Sequence, residues 1–274
     1  MEDLKVPDGV GLGLRYSFAE EILSCEEPPR WLEIAPENWM ERGGFFKSTL
    51  ERVREKFPIV CHGLSLSIGS PDALNTNFIK KLKTFLDEFH IEVYSEHLSF
   101  SSMEGSYLHD LFPLPFTDEM VKHVSERVHR VQELLERPLI LENISYYWSY
   151  PTGMEEWEFI NSVLEESGAY LLLDVNNVYV NSLNHRYDPY DFVERLDLSR
   201  VAYIHIAGHE RFDRLVIDTH GAPTPEEVMK LLEFVLEKTG DTPVLLERDN
   251  NIPPLEELLQ EVRKIEGRIR KVGV

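Results

Sequence analysis

Short apolar runs rich in Val, Ile and Leu alternate with amphipathic segments along the whole chain. The apolar runs are VGLGLR (10–15), RWLEIAPEN (30–38), PIVCHGL (58–64), IEVYSEHL (91–98), PLILENI (138–144), YLLLDVNN (170–177), VAYIHIAG (201–208) and PVLLERD (243–249). Their length and branched side chains predict strands. Between them lie segments such as FFKSTLERVREKF, DEMVKHVSERVHRVQELL and PEEVMKLLEFVLEKTG. In these, apolar residues recur at three and four places with charges between, as on a surface helix with one buried face. PEEVMKLL follows Thr224, which reads as an N-cap with Pro225 at the first helical position. Eight strands alternating with helices predict a parallel sheet whose outer side the helices cover. Eight is also the number that closes a (β/α)₈ TIM-type barrel. An open doubly wound sheet is the alternative, but GVGLGLRYS has no glycine where the third of its fingerprint should fall. No linker or shift in composition divides the chain, so residues 1–274 read as a single barrel domain.

Composition narrows the chemistry. The formal charge is -21, from 49 Asp+Glu against 28 Lys+Arg, which disfavours nucleic acid and anionic membranes as partners because phosphate surfaces need concentrated Lys and Arg. MEDLKVPDGV lacks the apolar core of a signal peptide, and no apolar run is long enough to span a bilayer. Cytoplasmic localisation is therefore expected. The two cysteines, Cys25 and Cys61, are too few for a disulfide framework or a thiolate zinc site. Cys61 sits in an apolar run and reads as a buried, inert thiol.

The polar residues have a pattern of their own. The third strand ends in His62, the fourth in Glu96 and His97, and the fifth in Glu142 and Asn143. The sixth ends in Asp174, the seventh in His205 and the eighth in Glu247, while the second ends in Glu37 and Asn38 and the first in Arg15. In a parallel barrel all carboxyl ends meet at one rim, where active sites sit. A lone Asp at a strand end is ordinarily a turn residue. Three histidines and three carboxylates at matching positions on six strands call for a common cause. Asp218 and His220 join the set from the loop RFDRLVIDTHGAP, where residues two apart in an extended segment point the same way. Asn177 follows Asp174 by three residues, so a turn would return its amide to the rim, whereas Asn176 reads as facing away and shaping that turn. His109 is placed at the mouth without a ligand role; His185 and His209 are loop residues with no spacing argument. Imidazole and carboxylate without thiolate suit iron, manganese or zinc. These donors are too many for one ion and suit two or three ions bridged by carboxylates such as Glu142 or Glu247. Such centres serve either hydrolysis or oxidation with dioxygen, and ligand identity alone does not separate the two.

APENWM, CHGLSLSIGS, SEHLSF, HDLFPLPFT, LENISYY, LLLDVNNVYVNSLNH, HIAGHE, IDTHGAP and LLERDNNIP occur in order along the chain. Together, over about residues 8 to 260, they resemble the multinuclear non-haem iron-dependent oxidases typified by the methanobactin biosynthesis oxidase. The resemblance implies a xylose-isomerase-like TIM barrel holding two or three iron ions (Fe2+/Fe3+), with zinc or manganese possible in isolated protein. It implies dioxygen as oxidant and a ribosomally made precursor peptide as substrate, often modified at cysteine, with a small leader-binding partner protein. The family's ligand pattern falls on His62, His97, Glu142, Asp174, Asn177, His205, Asp218, His220 and Glu247. Arg15, Glu37, Asn38 and Asn143 are candidates for orienting those ligands. Two positions depart from the family: Glu96 stands where Asp is common before the second histidine, and Ile144 where Pro is common after the LEN asparagine. The alternative function is a metal-dependent hydrolase or isomerase of the sugar-isomerase or endonuclease IV-like barrel type, acting on a small sugar or phosphate. A metal-binding protein without activity is the third.

Overall fold

The computed structural model describes residues 4–151 and 153–273. Its strands are β1 (Val10–Gly13), β2 (Leu32–Ile34), β3 (Ile59–Gly63), β4 (Tyr94–His97), β5 (Phe100–Met103), β6 (Ser106–Phe112), β7 (Ile140–Glu142), β8 (Tyr170–Asp174), β9 (Val201–Ile206), β10 (Glu210–Phe212), β11 (Leu215–Ile217) and β12 (Val244–Leu246). Eight of these close into a barrel in the order β1-β12-β9-β8-β7-β4-β3-β2, every pair parallel. Four strands form two antiparallel hairpins, β5–β6 and β10–β11. The helices are α1 (Pro36–Trp39), α2 (Phe45–Lys56), α3 (Thr76–Glu88), α4 (Asp118–Leu135), α5 (Glu156–Ser167), α6 (Val175–His185), α7 (Pro189–Arg195), α8 (Glu226–Thr239) and α9 (Leu255–Val272). The expected TIM-type barrel is the observed fold.

The alternation of side chains along a strand splits the core into two bodies. Outward-facing residues such as Leu12, Ile34, Cys61, Leu141, Leu173, Ile204 and Leu246 pack against the apolar faces of the helices. Inward-facing Trp31, Val60, Val93, Ile140, Leu172, Tyr203 and Leu245 form a separate cluster that fills the barrel. Trp31 takes more than its share of that space because β1 presents a glycine there. A Cβ on Gly11 would stand 2.5 Å from the Trp31 indole.

Several expected boundaries shift. The strands end earlier than their apolar runs suggest, because parallel pairing stops where the chain turns onto the rim. Gly13 ends β1, so Arg15 lies beyond it and starts a 3-10 turn at Tyr16–Phe18. Ile34 ends β2, and Glu37 and Asn38 lie on the short helix α1 instead of at a strand end, because Pro36 opens a helical turn. The VNN after Asp174 is the first turn of α6, not a loop, and the Asp174 side chain caps it by accepting from the Asn177 N–H. Thr224 does not cap α8. That place falls to Pro225, and the Thr224 N–H donates to Glu261 instead.

Candidate metal centre

Moving two residues along each strand from the apolar layer reaches a polar layer on the same inward face. Trp31 is followed by Glu33, Val60 by His62, Val93 by Ser95 and then His97, and Ile140 by Glu142. Likewise Leu172 is followed by Asp174, Tyr203 by His205 and Leu245 by Glu247. The period of two therefore carries the barrel from a packed plug to a ring of ionisable groups. Except for the half-buried His97, those groups are almost wholly buried, from 0% exposure at Asp174 and His205 to 8% at Glu247.

Within the ring the donors form a connected line. Glu142 Oε2 lies 3.1 Å from His62 Nε2 and 3.2 Å from His97 Nε2, and the two imidazole nitrogens face each other at 3.1 Å. Glu142 Oε1 is 3.4 Å from His205 Nδ1, which is 3.1 Å from Glu247 Oε2. Glu247 Oε2 is in turn 3.2 Å from His220 Nδ1. Ligand-sized clusters follow: His62, His97 and Glu142; Glu142, Asp174, His205 and Glu247; His220, Glu247 and Asp249. Glu142 and Glu247 each belong to two of them.

Each histidine has one nitrogen held by a protein oxygen. His62 Nδ1 meets Ser95 Oγ at 2.8 Å, His97 Nδ1 meets Glu96 at 3.2 Å, His205 Nε2 meets Glu33 at 3.0 Å, and His220 Nδ1 meets Asp249 at 3.0 Å. In this way an outer oxygen fixes the ring and tautomer of a metal-binding histidine. What remains inside is unsatisfied. Glu142 Oε2, Asp174 Oδ2, Asn177 Oδ1, His205 Nδ1 and His220 Nε2 are buried without a hydrogen bond. Buried polar atoms are nearly always paired, so several orphans in one place fit a cluster of cations that would take them up. The clustered acids and histidines could hold metal ions.

The charges point the same way. Burial pushes the Asp174 carboxyl well above its usual range, and the neighbouring Glu142 adds to it. Burial opposes a charge on His205 and His220, yet Glu33 and Glu247 raise the first, and Asp218 and Glu247 the second, well above the usual imidazole value. His97 is raised to about 9, against its own burial, chiefly by Glu142 and Glu96. Without cations, the protein would thus gather protons on its imidazoles to offset the carboxylates.

The remaining sequence-predicted residues fall unevenly. Asn177 and Asp218 line the same cavity of about 650 Å³. Asp218 Oδ1 approaches His220 Nε2 at 2.7 Å but lies outside the three clusters. None of the four residues expected to orient the ligands bonds a histidine. Arg15 reaches Asp249, Glu37 accepts the Leu64 N–H, and Asn38 lines the cavity while its carbonyl accepts from Tyr16. Asn143 exchanges two hydrogen bonds with the Asp174 backbone, at 2.9 and 3.0 Å, and so ties β7 to β8 at the rim. The oxygens that do hold the histidines belong to Glu33, Ser95, Glu96 and Asp249. Asn176 faces inward, contrary to expectation. Its amide donates to Asp218 at 2.7 Å, and its oxygen meets His209 Nδ1 at 2.9 Å. His209 is accordingly buried. His109 lines the mouth as expected, with φ of 56° in β6. Among the described lining residues Arg15 is the one Lys or Arg.

A family model described as "RiPP precursor modification enzyme MbnB/TglH/ChrH" matches residues 9–270. The chain belongs to this family. Its relatives include a UPF0276 protein of Shewanella loihica, 51% identical over 94% of this chain and 93% of that one. Another, from Acinetobacter baylyi, is 47% identical over 94% and 90%. Among solved structures, endonuclease IV from Thermus thermophilus is similar with a TM-score of 0.61 and 15% identity, over 96% of this chain and 99% of that one. A xylose isomerase domain protein from Planctomyces limnophilus has a TM-score of 0.61 at 12% identity, over 97% and 98%. At such identities these two speak for the barrel alone. No helix among the described residues is long and apolar enough to cross a membrane.

Proposed function

We propose that the protein is a multinuclear non-haem iron-dependent oxidase that uses dioxygen to modify a ribosomally made peptide, at cysteine, with a small leader-binding protein as partner. Membership of the RiPP-modifying family supports a peptide substrate. The observation that carries the metal reading is the line of donors joined by Glu142 and Glu247, each shared between two clusters. In this reading His62, His97 and Glu142 hold one ion, Glu142, Asp174, His205 and Glu247 a second, and His220, Glu247 and Asp249 a third. Asn177 and Asp218 supply further oxygens at the cavity wall.

Iron bound here would supply dioxygen binding and one-electron chemistry, and would lower the pKa of a substrate thiol. The chain's own part is preparation. Ser95, Glu96 and Glu33 hold the imidazoles of His62, His97 and His205 so that the opposite nitrogen is free to bind. The apolar plug beneath closes the barrel to water from below. Arg15, held by Asp249, places a positive charge at the mouth.

Metal analysis and electron paramagnetic resonance on anaerobically purified protein test this, alongside oxygen uptake with a cysteine-containing peptide. Two or three irons per chain and peptide-dependent uptake are expected. Stoichiometric zinc, no iron on reconstitution and no uptake would sink the oxidase reading in favour of a hydrolase or isomerase.

A further inference from the structure

A second cavity, of about 480 Å³, lies outside the barrel between residues 146–150, residues 154–157, the end of α6 and helix α7. Its walls are aromatic: Tyr146, Tyr150, Trp157, Tyr187 and Phe192. Its polar residues are mostly acidic, namely Glu155, Glu156, Asp188 and Asp191. Arg195 is the one Lys or Arg among its described lining residues. It is already engaged, by Asp191 at 2.9 Å and over the Trp157 ring at 5.5 Å.

Glu156 is the informative residue. It is 8% exposed, and its Oε2 accepts from the Tyr146 hydroxyl at 3.0 Å. Its Oε1 has no hydrogen-bond partner among the described residues, although the side chain lines the cavity. Burial pushes the carboxyl up to about 8, against the Tyr146 hydrogen bond. Oε1 opens to the solvent of the cavity, where an entering cationic group would take the place of water on it. Tyr146 is stacked on His185, Tyr187 on Phe192 and Trp157 under Arg195, so the 37% exposed Tyr150 is the ring best placed to meet an ammonium or guanidinium group beside the carboxyl. An anion would meet the repulsion of the four acids.

We propose that this cavity binds the cationic side chain, lysine or arginine, of a peptide. The identity of the occupant rests on the peptide-substrate reading above. The position fits, because the two cavities are joined by one short segment. Ser145 lines the metal cavity and Tyr146 lines this one. Tyr147 accepts the Asp218 N–H, and Trp148 packs on Tyr150 with centroids 5.0 Å apart. Tyr147 and Trp148 are 42% and 45% exposed. A chain seated by its basic residue here could run over these rings to the metal centre.

Binding also has a proton signature. Tyr146, Tyr150, Tyr187, Glu155, Asp188, Asp191, His185 and Arg195 are the titratable or charged groups lining the cavity with Glu156. Of these none but Arg195 brings a fixed positive charge, and Asp191 already holds it. An arriving cation would ionise Glu156 and release its proton below about pH 8.

Titration calorimetry of the purified protein with blocked pentapeptides Gly-Gly-X-Gly-Gly tests the proposal at pH 6.5. With X as Lys or Arg, affinity at least tenfold above that of the norleucine peptide is expected, with proton release read from phosphate against Tris buffers. Glu156→Gln keeps an acceptor for Tyr146 and should abolish both the release and most of the preference. Tyr150→Leu, at a ring already 37% exposed, is the second variant and should weaken lysine binding at least threefold. Equal affinity for lysine and norleucine peptides, or unchanged lysine binding in both variants, overturns the proposal. The readout needs no turnover, so loss of oxidase activity with intact lysine binding would count against the oxidase alone. Intact oxygen uptake without lysine preference would count against this pocket alone.

Discussion

Glu33 shows what single residues do in this protein. It stands two places after Trp31, so it faces into the barrel, 4% exposed, and holds both His205 at 3.0 Å and the Tyr203 hydroxyl at 2.8 Å. If His205 binds a metal through Nδ1, Glu33 fixes the ring that presents it. Glu33→Gln should then lower metal affinity about 10- to 100-fold, in the range of outer hydrogen-bond partners generally, without unfolding the chain. His205→Ala should lose metal outright. Competition titration against a chelator measures both, and unchanged affinity in Glu33→Gln would leave the residue with a packing role only. The donors themselves were legible in the sequence, because apolar runs that stop at an ionisable group need no tertiary information to be noticed. Their partners were not. Glu33 and Ser95 sit inside runs that look like ordinary strand, and only the inward or outward parity, fixed by neighbouring strands, separates Glu33 from the outward-facing Ile34 beside it. Asn176 was misread for the same kind of reason. A turn and a first helical turn begin alike, and the second swings that amide toward Asp218.

At the scale of elements, the barrel was legible and its decoration was not. Eight apolar runs with helices between them leave little choice of architecture, since each strand and each amphipathic helix must bury a face against the other. The hairpins β5–β6 and β10–β11 carry polar, half-exposed residues whose pattern is that of loops, and short pairings of that sort leave no periodic signal. They matter nonetheless, because β11 leads directly into Asp218 and His220. The loop carrying these residues is pinned to β9 by a close backbone approach at Gly208. A Cβ there would stand 2.1 Å from the Ala222 carbonyl oxygen, a main-chain atom with nowhere to go. Gly208→Ala should therefore destabilise the protein by about 1–3 kcal/mol, as overpacked sites do, and displace His220 from Glu247. Urea unfolding gives the first effect, and metal content gives the second. A midpoint equal to that of the parent would mean the loop is not held there.

For the whole molecule, parallel strands carry a consequence that no single residue has. All strand ends meet at one rim, so Glu33, Glu142, Asp174, Asp218, Glu247 and Asp249 gather in a protein already at -21. Cations that bind this end of the folded chain and not the unfolded one stabilise it by mass action, by about 2.7 kcal/mol at a hundredfold excess over Kd. For a chain of this size that is a Tm change of about 5 °C. Chelation should lower Tm by that amount and reconstitution should restore it. The size of the gap should depend on pH, with a definite sign. His97 is raised from 6.5 to about 9, so the chelated protein binds an extra proton there that its unfolded form lacks. That stabilisation is complete below 6.5 and is lost as pH rises toward 9. A metal ion on His97 keeps the ring neutral and removes the slope, and deprotonated ligands bind metal better as pH rises. The difference in Tm between loaded and chelated protein should accordingly widen from pH 6.5 to 9. Thermal melts at three pH values across that range decide it. A gap that stays constant would place the bound ions away from His97.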